Sequence, residues 1–434
     1  MSTDKTRRRF LCVSGVSVAI GLAGCQGGGD DSEAGDDADD NGDDHSHDDH
    51  DHGDDDHDHG DDEGPGSDGL LYAFAPDRAV LIDPAAGEIV EDLTDSIEEV
   101  TGSTVEGADW GDARLTRDES KLYVVESSND DLVVIDTEHR KAVAAPNIGP
   151  GATHAYQPVD GEIWAHADDE GRLYVVDTET DQLVETVQTG HEDTGHGKLL
   201  YHDDLTPTAF ATNTNDPYLH VVDMDHYESD ADESIDLRHD DDEARGTHYA
   251  IYGPQNGLVY VERSGGDMMA VVDPDELVVV DWLDINGGVS LSPDHDLLGV
   301  WEDDAVHFVD VTDEDSEIVT TVDVEGLAPD DIDYYEDGGT LYALTTNTGE
   351  DSVSVIDVDA GELETSIETS EIDRDGRFVH RSGVVAGDYY ATTSDAAGLV
   401  EVIDIGAREP THEIEVSEGV DTISYVGSGG GAWY

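Results

Sequence analysis

An eight-bladed β-propeller behind a disordered acidic tether is the fold this chain predicts, an all-β class. Three observations carry the expectation. A short apolar strand ending in aspartate recurs eight times after residue 69, polar turns separate the strands, and helical periodicity is almost absent. The strand reads AVLID at 79–83, LVVID at 132–136, LYVVD at 173–177, LHVVD at 219–223, MAVVD at 269–273, VHFVD at 306–310, VSVID at 353–357 and VEVID at 400–404. The period is roughly 37–53 residues, the spacing of propeller blades. Another strand precedes each motif, as KLYVV at 121–125, and another follows, as QLVETV at 182–187. Four short strands per unit with polar turns describe a blade.

The two ends of the repeat fix the count. The repeat opens with LLYAF at 70–74, a second strand lacking its inner partner. It closes with DTISYV at 421–426, an inner strand lacking its blade. Pairing the two closes the ring and gives eight blades. Seven is the alternative if the irregular stretch 225–242 is misread. The repeated strand resembles YVTN-type and quinoprotein-like propellers, a likeness that specifies fold and not function.

Residues 1–25 read as a twin-arginine signal peptide of a lipoprotein. Arg7, Arg8 and Arg9 precede Phe10 and Leu11, the apolar run 13–23 is too short to span as a permanent helix, and LAGC at 22–25 has lipobox form. Cys25 is then the acylated start of the mature chain. Export through the twin-arginine pathway and anchoring to the outer face of the cytoplasmic membrane follow, with the lipid as the only membrane contact. Cys12 and Cys25 are the only cysteines, so an internal disulfide is not expected in the mature chain.

Residues 26–68 form the tether. Gly, Asp, Glu, Ser and His leave too little apolar surface to offset the entropy of ordering. Within it His45, His47, His50, His52, His57 and His59 alternate with carboxylates, a composition that binds transition metals weakly. At roughly 3.3 Å per extended residue the tether can reach a propeller mouth.

The formal net charge is −88, from 107 acidic against 19 basic residues. Repulsion on that scale opposes compaction unless high salt screens it. The acid excess resembles proteins of salt-loving archaea. The lack of a basic patch argues against a nucleic-acid ligand, and nothing in the pattern calls for more than a monomer.

In the 69–434 propeller the start of each inner strand lies near a channel mouth. Aligned on the aspartate motif, four blades place a histidine there: His154, His196, His248 and His380. Asp109, Asp333 and Asp421 occupy the corresponding place in other blades. Imidazoles with a carboxylate suit a tetrahedral zinc site, while nickel, cobalt and copper(II) remain open. The competing reading is a polar channel lined by hydrated side chains. His166 and Glu126, at the ends of second strands, are candidate partners that orient a ligand. His191 and His202 flank the His196 strand as weaker candidates. His139, His226, His239, His295 and His412 read as solvated turn residues, and His220, His307 and Met269 as structural. No nucleophile–base pair stands out, so catalysis is not indicated.

The segments PGATH at 150–154, GHG at 195–197 and THYA at 247–250, with GEIWAHADDEGRL at 161–173, resemble AztD-type zinc metallochaperones. The resemblance implies an exported propeller that passes zinc to the solute-binding protein of a metal ABC importer. It implies His154, His196 and His248 as ligands and the His-rich segment as a mobile collector. The tether placement and the lipid anchor depart from that pattern. Two other classes stay open: a cofactor-binding propeller of the d1-haem or quinoprotein type, though no CxxCH motif exists, and a non-catalytic cell-surface interaction propeller.

Overall fold

A computed structural model of the protein describes residues 66–190, 194–229, 233–239, 245–374 and 379–428. The signal peptide with Cys25, the histidines at 45–59 and His191 lie outside the described residues.

The described chain folds into eight antiparallel sheets in sequence order, so the eight-bladed count holds and seven does not. Within the stretch around 225–242, the described pieces Glu228–Ser229 and Ile235–Asp236 both pair with Tyr218–Asp223 of the fourth blade. Ring closure follows the expected pairing. Leu70–Ala75 runs antiparallel to Thr422–Val426, with Tyr72 opposite Ser424, so the first blade takes its inner strand from the C-terminal end of the fold.

The recurrent aspartate is a turn device. In all eight blades its Oδ1 accepts a hydrogen bond from a backbone N–H two or three residues on, as Ala86 to Asp83 at 2.9 Å, Thr180 to Asp177 at 2.8 Å and Ala360 to Asp357 at 2.7 Å. That local bond favours a tight turn over strand continuation. In most blades the turn ends in a left-handed residue, Gly87 and Gly361 among them. Leu277, at φ 55°, carries the same conformation with a side chain present.

Burial explains the strand patterning. Second and third strands are buried on both faces, as in Leu132–Ile135, where every residue is inaccessible. Outer strands are mostly exposed. The core is eight separate clusters, each formed between adjacent blades. One joins the eighth blade to the first through Val384, Ala391 and Val402 against Leu71, Val80 and Ile82. Among the described residues one α-helix, Thr94–Thr101, interrupts the all-β pattern. It buries Ile97 between the first two blades and stops at Gly102 in the left-handed region.

Ile423 lies on the closing strand, is nearly buried, and packs in the cluster between the eighth and first blades. Ile423→Ala is expected to destabilise the protein by about 2–4 kcal/mol through the cavity it leaves. Denaturant unfolding at fixed salt measures this. A cost below about 0.5 kcal/mol would mean that the closing strand contributes little.

Candidate metal centre

Three consecutive inner strands build the centre. His154 sits on Ala152–Tyr156 of the third blade, His196 precedes Leu199–Leu200 of the fourth, and His248 sits on Gly246–Gly253 of the fifth. The strand register shifts at Ala152/His154 and at Thr247/Ala250, beside the channel-facing histidines, and again at Trp110/Ala113 in the second blade. Such bulges bend a strand and re-aim its side chains. Close approach between strands needs glycine: a Cβ on Gly197 would lie 1.9 Å from the Thr212 carbonyl, and one on Gly111 2.3 Å from that of Thr153. The Thr212 hydroxyl donates to the His248 carbonyl at 2.6 Å, and the Thr214 N–H donates to that of His196 at 2.7 Å, which fixes both backbones.

Among the described residues, His154, His196 and His248 are the group that could hold a metal, with one ring nitrogen of each within 4.8 Å of the others. His154 Nε2 and His196 Nε2 are 3.3 Å apart. The other nitrogen of each is committed. His154 Nδ1 is 2.6 Å from an Asp112 oxygen, and His196 Nδ1 is 2.7 Å from Asp168 Oδ2. A carboxylate accepts, so each Nδ1 carries the proton and each Nε2 presents a lone pair. Two lone pairs facing each other at 3.3 Å repel unless a cation lies between them. Tetrahedral ligands at about 2.0–2.1 Å from zinc have nitrogens roughly 3.3–3.4 Å apart. The pair is therefore spaced as two ligands of one ion. His248 Nε2 is buried and has no hydrogen-bond partner, so it too is free to coordinate.

Electrostatics keep the rings metal-ready. Burial pushes the His154 imidazole down to about 4, against the opposing pull of Asp112. Burial also drives His248 well below its usual value, with Lys198 adding to it. The channel wall alone would raise the Asp112 carboxyl, but His154, its hydrogen bond and Lys198 outweigh that and hold it well below the usual range. Asp168 is likewise held low by His166 and His196 despite desolvation. Asp168 is the hub of this wall, since its other oxygen meets His166 Nδ1 at 2.8 Å and accepts from the Thr153 hydroxyl at 2.9 Å. His166 thus stands behind the carboxylate that orients His196.

The remaining candidates stand elsewhere. His380 does not join the group: its ring is exposed, and Asp330, 3.4 Å away, favours its protonated form. Asp109 and Asp421 face one another near the first and second blades. Burial, then the Asp109 charge, push the Asp421 carboxyl up to about 7. Asp333 lies on the seventh-blade wall beside Asp331 and Tyr390, where burial and Asp331 favour its protonated form. None of the three reaches the triad's ligand cluster. Glu126 is spent on a turn, accepting from the N–H groups of Asp109, Ser128 and Asn129, and orients no imidazole. His202 caps a 3-10 turn by accepting from the Asp204 N–H. His139 and His226 pair with turn aspartates. His220 is buried between Asp216 and Ser234, His307 bonds Thr321, and Met269 is core.

Sequence reasoning missed Asp112, Asp168 and Lys198. A signal for Asp168 existed in the spacing His166-Ala167-Asp168, which puts both side chains on one face at a strand end. Asp112 lay three residues past Asp109, and the bulge that turns it toward His154 has no sequence mark.

No protein-family model matches the chain, and no curated protein matches it in sequence. Solved structures do share its fold. Apo AztD from Citrobacter koseri superposes with a TM-score of 0.55 at 15% identity, over 84% of this chain and 98% of that one. The dihydro-heme d1 dehydrogenase NirN in complex with DHE gives 0.62 at 11% identity, over 82% and 75%. At such identities the likeness shows the fold.

Two outcomes follow from this geometry. Asp112→Asn is expected to weaken zinc binding by roughly 10–100-fold, since the amide no longer holds the His154 tautomer. Chelator competition measures it, and an unchanged affinity would contradict the orienting role. The sign for pH is also set. Above the unfolded value near 6.5, His154 is neutral folded or unfolded and its contribution to stability is complete. Between there and about 4 the unfolded chain binds a proton the folded chain refuses, so stability falls. Proton competition at this ring therefore begins well below pH 6, where solvated imidazoles already protonate. In the zinc-free protein the His154 ring should titrate near pH 4 by NMR, and a midpoint near 6.5 would contradict its burial as a neutral ligand.

Proposed function

We propose that this protein is an exported, lipid-anchored zinc-binding propeller that captures zinc at its channel and hands it to the solute-binding protein of a metal ABC importer. The observation that carries the zinc reading is the pair of facing Nε2 atoms of His154 and His196, 3.3 Å apart and each backed by a carboxylate. His248 completes three nitrogen ligands. A fourth position is left for water or for a ligand offered by a receiving protein, and an open position is what transfer by ligand exchange requires. Neutral imidazoles with no thiol suit zinc over softer ions. The motif resemblance to AztD-type zinc metallochaperones and the shared propeller fold support the delivery step. The histidines at 45–59 supply weak, fast sites on a chain anchored beside the importer, which raises the local concentration of cargo.

The alternative is a cofactor-binding propeller oxidoreductase, which draws on fold likeness to NirN alone. A visible absorption band in the purified protein would favour it.

Metal analysis after dialysis of three proteins separates the parts. The wild type should retain one tight zinc with further weak equivalents. His154→Ala combined with His248→Ala should lose the tight zinc and keep the weak ones. Deletion of residues 43–63 should do the reverse. Retention of the tight zinc in the double variant would sink the channel site.

A further inference from the structure

The chain has only four lysines, Lys5, Lys121, Lys141 and Lys198. The exposed Lys141 has no charged partner among the described residues, whereas Lys121 closes an ion pair with Asp181 at 2.7 Å. Lys198 does not. Its backbone is pinned to the neighbouring strand, its N–H donating to the Thr212 hydroxyl at 2.8 Å and its carbonyl accepting from the Thr212 N–H at 2.9 Å. From that root the side chain lays its ammonium over the Tyr249 ring, 4.4 Å from the centroid. The Tyr249 ring packs against His248 at 4.3 Å, centroid to centroid. The ammonium is therefore one ring away from a metal ligand and two residues along the chain from another. Among the described residues it makes no hydrogen bond or ion pair, although Asp112 and Asp331 both feel its charge.

A fixed positive charge beside a cation site works against loading. It stabilises the empty channel, where it offsets Asp112 and neighbouring carboxylates, and repels a dication in the loaded one. A lysine pinned to an acid, as Lys121 is, has its charge neutralised. The aromatic seat instead holds the charge beside the ligands without neutralising it.

We propose that Lys198 is a built-in counter-cation of the triad, which lowers zinc affinity and speeds zinc release so that the cargo can be handed on. This rests on the zinc reading of His154, His196 and His248 and assigns the control of that site. A unit charge several ångströms from a dication changes its affinity on the order of tenfold even at the dielectric constant of water.

The test uses the full mature chain and zinc alone. Affinity of the tight class is measured by chelator competition and its release by chelator chase, for the wild type, Lys198→Met, Lys198→Gln, Lys198→Arg and His154→Ala. Lys198→Met and Lys198→Gln should bind zinc about tenfold more tightly and release it more slowly, while Lys198→Arg stays near the wild type. The sign is decisive, because loss of a merely structural side chain loosens a site and does not tighten it. Equal or weaker binding in both neutral variants, with tight binding still abolished in His154→Ala, would overturn the counter-cation and leave the zinc site standing. An unchanged tight class in His154→Ala would remove the zinc reading and this inference with it.

Discussion

Ring closure is the constraint on which everything else depends. Five residue pairs between Leu70–Ala75 and Thr422–Val426 convert a row of eight sheets into a circle. A row would leave one blade edge unpaired and one core cluster half-made. The circle completes all eight clusters, including the one that joins the last blade to the first. It also forces the inner strands to converge on a common axis. Convergence brings His154, His196 and His248, which are 42 and 52 residues apart in sequence, to within bonding reach of one ion. Neither blade stability nor metal geometry is local. Both follow from the circumference.

The centre itself is a balance between desolvation and orientation. Burial alone would make imidazoles poor bases and good ligands, but it would leave their tautomers undefined. Asp112 and Asp168 define them by taking the Nδ1 protons. The two carboxylates remain ionised because their histidine partners offset the cost of burial, with Lys198 adding to this at Asp112. On the opposite wall burial outweighs the pull of Lys198 on Asp331 and of Tyr390 on Asp333, and their carboxyls are pushed toward the protonated form, Asp331 up to about 6. One channel thus holds carboxylates in two states, set by what each faces.

Much of this was legible in the sequence, and for identifiable reasons. The aspartate that ends each third strand carries a local hydrogen bond, so its period reports blade spacing directly. His154, His196 and His248 stood out because histidine is sparse in the repeat and inner-strand starts can be aligned. The carboxylates were illegible for the opposite reason. In a chain with 107 acids one more aspartate carries no signal, and a bulge decides which of Asp109 and Asp112 faces the histidine. His380 aligned with the others and still failed to join them. It lies before its blade's inner strand Gly383–Ala386, and the neighbouring Arg381 is buried against the carbonyls of Ser352 and Thr393. Glu126 aligned with a second-strand end and serves the turn that follows it.

The central claim is that one ion is held between the facing nitrogens of His154, His196 and His248. Anomalous diffraction at the zinc absorption edge from zinc-loaded crystals tests it most directly. The account predicts a single strong peak in the channel, about 2.0–2.1 Å from a nitrogen of each of the three rings. A channel without a peak in zinc-saturated crystals, or a peak bound by other residues while the three rings stay unligated, would contradict it.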